Sequence, residues 1–154
     1  MKFLIINGVN LNLTGLREPG VYGTRTLSEI GEEIAERCRE WGDEATFFQS
    51  NSEGELCSRL HRAFLERECD GIVLNAGAYS HYSYALRDAI ASVDIPVVEV
   101  HMSNIAARED FRRRSVLSEV CRGVVFGFGA AGYLAAIAGL KELAREGGRE
   151  DKKA

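Results

Sequence analysis

The acid–base repertoire of this 154-residue chain rests on three histidines, five tyrosines and four lysines. His101 closes one apolar run, Val97 to Val100, and His81 follows shortly after another, Gly71 to Leu74. Imidazole is the side chain that gives or takes a proton near neutral pH. His61 stands between Leu60 and Arg62 inside a helical pattern and reads as structural or solvated. Tyr22 lies in a stretch with Gly15, Pro19, Gly20 and Gly23, five residues after Arg17. A phenol ionises near pH 10, so its use as a base at pH 7 costs roughly 4 kcal/mol. A nearby guanidinium lowers that cost by favouring the phenolate. Arg17 and Tyr22 can therefore form an activated base, with His101 as the acid. On these residues alone, an arginine and a tyrosine packed on a surface loop are the more economical reading.

Other chemistries fit less well. A zinc site needs a third ligand beside His81 and His101, and none is evident. The pattern G-x-S-x-G is absent and no cysteine ends a strand, which leaves acyl transfer unsupported. The lysines are Lys2, Lys141, Lys152 and Lys153, at the chain start, in the last helix and in the tail, which argues against imine chemistry. Gly127-x-Gly129-x-x-Gly132 follows a strand and opens a helix, as a dinucleotide fingerprint does. That fold also needs a further strand with an acidic residue about 20 residues on. Only a charged tail remains, so a tight turn and close helix packing explain these glycines better. A nucleotide- or flavin-binding module is the alternative reading.

The elements that must hold these residues alternate along the chain. Phe3 to Ile6, Ala45 to Gln49, Gly71 to Leu74, Pro96 to Val100 and Gly123 to Phe126 read as strands. Thr26 to about Trp41 reads as a helix with a Thr26/Glu29 capping box. Gly54 to about Cys69, Tyr82 to Ala91 and Ala130 to about Arg145 read as three more, and Glu109 to Arg114 as a short helical turn. Five βα units imply a parallel sheet covered on both faces: a flavodoxin-like, doubly wound, three-layer α/β/α domain over 1–146, with a charged tail, expected to be disordered, over 147–154. In such sheets ligands bind beyond the carboxyl ends of the strands. There the sequence puts Asn7, Asn10 and Asn12, then Gln49 and Asn51, then Asn75, then His101 with Ser103 and Asn104. Helix caps and turns account for about half of these amides. The stretch from Asn7 to Arg25 is long for a connection, as an active-site lid would be.

Composition sets the outer limits. Apolar residues make up 45% and charged residues 27%, an ordinary globular balance. A net charge of −4 disfavours a nucleic-acid binder, and Arg112-Arg113-Arg114 is the only dense basic patch. The apolar start is too short for a signal peptide and no run is long enough for a membrane span. Cys38, Cys57, Cys69 and Cys121 lack C-x-x-C spacing and read as thiols of a reducing cytoplasm, three of them in helices.

Seven motifs, taken together, resemble the type II dehydroquinases. They are Asn7-Gly-Val-Asn-Leu-Asn-Leu with Arg17-Glu-Pro and Tyr22-Gly; Gln49-Ser-Asn-Ser-Glu-Gly-Glu-Leu; Asn75-Ala-Gly-Ala-Tyr-Ser-His81; Ala85-Leu-Arg-Asp88-Ala; Glu99-Val-His101-Met-Ser103-Asn; Ala107-Arg-Glu-Asp-Phe-Arg112; and Gly127-Phe-Gly-Ala-Ala-Gly-Tyr133. They run in order over about residues 1 to 140.

The resemblance implies a hydro-lyase that dehydrates 3-dehydroquinate to 3-dehydroshikimate by anti elimination through an enolate, in the shikimate or quinate pathway. It implies no cofactor and no metal. Tyr22 would take the C2 proton and Arg17 would hold the phenolate. His101 would protonate the leaving C1 hydroxyl, and Asn10 would position a water at the enolate oxygen. The backbone of Met102 and Ser103 would bind the carboxylate; Asn75, His81 and Arg112 would bind the other oxygens. Asp88 would reach a neighbouring subunit's site, within trimers assembled into a dodecamer in the cytoplasm. Val9, Ser52, Tyr82, Tyr84, Met102 and Ala106 depart from the usual family residues; none is one of the groups expected to move a proton.

Overall fold

The computed structural model describes residues 1–16, Gly20 and 24–150, the last three as backbone. Five strands form one parallel sheet: β1 (Lys2–Asn7), β2 (Glu44–Gln49), β3 (Gly71–Asn75), β4 (Val97–His101) and β5 (Gly123–Phe126). Their order across the sheet is β2-β1-β3-β4-β5. Among the described residues, the helices that connect or follow them are α1 (Leu27–Glu40), α2 (Glu53–Leu65), α3 (Tyr84–Ala91) and α4 (Ala131–Glu150).

The strand residues alternate between two buried layers, as a sheet covered on both faces requires. Leu4, Ile6, Ile72, Leu74 and Val97 pack on Leu56 and Leu60 of α2 and Leu86 and Ile90 of α3. Phe3, Ile5, Val73, Val98 and Val100 pack on Ile30 and Ile34 of α1 and Tyr133, Ile137 and Leu140 of α4. The expected three layers are therefore present. The capping box is present too: the Thr26 side chain accepts from the Glu29 amide, and the Glu29 side chain accepts from Thr26.

Boundaries differ in three places. α2 ends at Leu65 rather than near Cys69, because Arg67 takes a left-handed conformation (φ 52°) and Glu68 N–H turns back to the Ala63 carbonyl. Cys69 therefore lies outside the helix. α3 starts at Tyr84 rather than Tyr82, because Ser83 caps it by accepting from the Leu86 amide at 2.9 Å. The residues before it, Gly77–His81, form a 3-10 turn. The β4–β5 connection holds no α-helix, only single turns at Ile105–Ala107, Asp110–Arg112 and Ser118–Val120. α4 continues to Glu150, past the apolar stripe that marks its buried face.

Among the described residues no helix is long and apolar enough to cross a membrane. Cys38 is buried and Cys57, Cys69 and Cys121 are half-buried, all as free thiols. Burial pushes Cys69 up to about 11 and Cys121 up to about 12, so they stay protonated.

Candidate active site

The sheet order reverses direction at β1 and β3, where the chain goes outward to β2 on one side and to β4 on the other. A doubly wound sheet opens a crevice at such a point. The cleft there is lined by Val9, Asn10 and Leu11 after β1, by Asn75 at the end of β3 with Gly77, Ala78 and His81 after it, and by His101 at the end of β4 with Met102, Ser103, Ile105, Arg108 and Arg112 after it.

Two glycines let the first two loops meet. A Cβ on Gly8 would sit 2.3 Å from the Ala76 carbonyl oxygen, and one on Gly77 would sit 2.6 Å from the Val9 carbonyl oxygen. Gly77 also has φ +63°, which a side chain disfavours. Gly8 N–H donates to the Asn75 carbonyl at 2.7 Å. Asn10, left-handed at φ 65°, is tied by its amide to Asn51 Oδ1 at 2.8 Å, and Gln49 Nε2 donates to the Gly8 carbonyl.

The titratable centre is on β4. Side chains two apart share a strand face, so Glu99 lies beside His101. His101, 6% exposed, donates from Nε2 to Glu99 Oε1 at 2.7 Å. The fully buried Glu99 also accepts from Ser115 Oγ and Ser118 Oγ, each at 2.6 Å. Burial pushes the Glu99 carboxyl up. The hydrogen bond and charge of His101 and the two hydroxyls outweigh it and hold Glu99 below the usual carboxylate range. Glu99 is therefore an anion at neutral pH, and it fixes the His101 ring with Nε2 protonated. Nδ1 is left without a protein partner among the described residues.

The His81 ring stacks on the His101 ring, with centroids 6.1 Å apart. Its Nδ1 donates to the Arg114 carbonyl at 2.9 Å. Burial pushes His81 below its ordinary value, against the pull of that hydrogen bond, so it stays neutral and offers Nε2 as an acceptor. Arg112 stands beside the pair, its Nε 3.2 Å from Glu109 and its guanidinium over the Phe111 ring. Arg108 donates to Ser103 Oγ at 3.4 Å. Among the described residues no cluster of three or more His, Cys, Asp or Glu side chains is gathered for a metal.

The structure thus brings together Asn10, Asn75, His81, His101, Met102, Ser103 and Arg112. Asp88 is elsewhere: it sits on α3, 75% exposed, 3.3 Å from Arg87. Arg17 and Tyr22 lie outside the described residues. Gly20 and Thr24 line a neighbouring opening of about 730 Å³ that shares Met102, Ser103 and Arg108 with the histidine cleft. A groove of about 480 Å³ between α1 and β2 is largely apolar and has neither histidine nor arginine in its lining.

Sequence reasoning passed over Ser115, Ser118 and Tyr133 as site residues. The i, i+2 spacing of Glu99 and His101 signals a carboxylate on the same strand face as the imidazole, but no local spacing points to the two serines. The glycine-rich turn resolves in favour of packing. Gly127 N–H and Gly129 N–H donate to the carbonyls of His101 and Met102, at 3.2 and 2.9 Å, and a Cβ on Gly132 would press on Val100 at 3.4 Å. Those amides close the turn onto β4 instead of cradling a phosphate.

Known proteins resemble the chain over most of its length. The family model for dehydroquinase class II matches residues 1–141. The 3-dehydroquinate dehydratase of Bacillus licheniformis is 56% identical over 134 residues, covering 87% of this chain and 91% of the relative. That of Caldicellulosiruptor bescii is 49% identical over 142 residues, covering 92% and 97%. The crystal structure of the type II dehydroquinase from Butyrivibrio crossotus superposes with a TM-score of 0.89 at 46% identity, covering 92% of this chain and 97% of that one. The chain belongs to the class II dehydroquinase family.

Proposed function

We propose that this protein is a 3-dehydroquinate dehydratase that removes water by anti elimination through an enolate. The observation that carries the reading is the near-full-length match to relatives of that name at about half identity. The site's chemistry supports it. A proton beside a ketone is acidic enough for a tuned side-chain base, given donors for the oxyanion. Tyr22 takes the C2 proton as the phenolate, held by Arg17, and the electrons move into the enolate. Asn10 orients a water at the enolate oxygen. The enolate then collapses, the C1–O bond breaks, and His101 delivers a proton to the leaving hydroxyl, so one water and the conjugated enone result. Glu99 neutralises the imidazolium that makes this delivery. The backbone of Met102 and Ser103 takes the substrate carboxylate, and Asn75, His81 and Arg112 take its other oxygens. Every step uses side chains of the protein, without metal or redox cofactor. Asp88 acts across a subunit contact within trimers assembled into a dodecamer. The enzyme works in the cytoplasm in the shikimate pathway.

The test is to add 3-dehydroquinate to EDTA-treated protein and follow the ultraviolet absorbance of the conjugated product, with a borohydride-treated control. Full activity after both treatments is expected, and Tyr22→Phe and His101→Ala should each lose about 100- to 10,000-fold in kcat. Either variant keeping near-full activity while folded would remove that residue from its role.

A further inference from the structure

One member of the family's last motif has no part in the chemistry above. Tyr133, in the first turn of α4, is fully buried, yet it ends in a hydroxyl that a phenylalanine would not have to satisfy. Its oxygen lies 2.6 Å from Asn7 Oδ1 and 2.9 Å from Asn75 Nδ2. Asn7 ends β1 and Asn75 ends β3. Strand alternation puts both on the sheet face that α4 covers, with Ile5 and Val73.

We propose that Tyr133 is a positioning residue that locks the Asn75 carboxamide in the orientation that offers an N–H to the substrate. The inference rests on the reading of Asn75 as a substrate-binding group.

The argument is one of donors and acceptors. A phenol has one proton. Tyr133 gives it to Asn7 Oδ1, so towards Asn75 it can only accept, and it faces Nδ2. At the other end of the amide, Gly77 N–H donates to Asn75 Oδ1 at 3.3 Å. A flip of the amide would set oxygen against an oxygen with no proton left to give, and NH₂ against N–H. The lock leaves the second Nδ2 hydrogen for the cleft that Asn75 lines. Burial pushes the Tyr133 phenol well above its ordinary value, so the hydroxyl stays a donor to Asn7 across the working pH range.

The test is a double-mutant cycle on kcat/KM with 3-dehydroquinate. Tyr133→Phe keeps the ring and should lose about 10- to 100-fold, mainly in KM, with the helical spectrum and native mass unchanged. Asn75→Ala should lose at least as much, and Tyr133→Phe placed in that background should cost nothing further. An equal loss in both backgrounds would make the role of Tyr133 structural and overturn the proposal; so would full activity of Tyr133→Phe beside an impaired Asn75→Ala. Full activity of Asn75→Ala would instead remove Asn75 from substrate binding and take the proposal with it. Should Tyr133→Phe fail to fold, Asn7→Ala serves the same cycle. It strips the acceptor from the Tyr133 hydroxyl, which then turns its proton to Asn75 and flips the amide. The same non-additive loss is expected, and an additive one overturns the proposal.

Discussion

A buried carboxylate with no direct reach to the cleft sets the acid end of the site. Glu99 accepts from His101, Ser115 and Ser118, and these bonds keep it ionised despite its complete burial. His101 was legible in the sequence because it ends an apolar run beside other polar strand ends. The two serines were not, since only the path of the β4–β5 connection brings them under Glu99. Glu99→Gln keeps the shape and an acceptor for His101 but cannot neutralise an imidazolium. It should lower kcat about 10- to 100-fold. The acid side of the stability curve gives an independent reading. The folded-state value of Glu99 lies below its ordinary value of 4.5, so its ionised form contributes stability that is full above that pH. The contribution is lost as pH falls through the folded value. The stability difference between the parent protein and Glu99→Gln should therefore shrink from about pH 5 downwards. A gap that stays flat into acid would mean that Glu99 gains nothing from its three partners.

Two interlocked glycines hold the cleft loops at the level of elements. Gly8 lies against the Ala76 carbonyl and Gly77 against the Val9 carbonyl, and these loops carry Asn10, Asn75 and His81. Backbone cannot yield as the end of a flexible side chain can. Gly77→Ala adds both that clash and a left-handed residue, a penalty of at least about 1–2 kcal/mol. It should lower the melting temperature and kcat/KM together. Gly54→Ala, in the first turn of α2 with nothing nearer than 3.9 Å to the added carbon, should be neutral or slightly stabilising. Equal melting temperatures for the two variants would deny the interlock. The strands and helices were legible because apolar spacing and the Thr26–Glu29 box are local signals. The end of α2 was not, because it turns on Arg67, a residue type that seldom takes a left-handed conformation. There the Arg67 guanidinium lies over the Phe64 ring and pairs with Asp94, contacts no local pattern announces. α3 starts two residues later than the pattern implies, because Tyr82 closes the preceding 3-10 turn and Ser83 caps the helix.

Among the described residues, Asp88 is the expected site residue that stands on the outside. Asp88 projects from α3 beside Tyr84, which is 65% exposed, and Phe111 is 61% exposed with its ring against His81 at the cleft. Aromatic side chains left bare near a cleft whose expected carboxylate, Asp88, stands outside it fit a surface that a second copy covers. Under the proposed trimer, each cleft takes Asp88 from a neighbour, so activity belongs to the assembly. This can be tested by complementation. Asp88→Ala and His101→Ala, each alone, should be strongly impaired, because every site in the first lacks the carboxylate and every site in the second lacks the acid. Unfolded together and refolded one to one, they form mixed oligomers. A site is whole where a His101-bearing chain meets a neighbour that bears Asp88, which random mixing gives in about a quarter of cases. Activity should then recover to roughly that fraction of the parent value, with the two variants mixed without unfolding as the control. If co-refolding restores nothing while mixed oligomers form, Asp88 does not act across a subunit contact. Recovery near a quarter would tie the chemistry of each chain to the next.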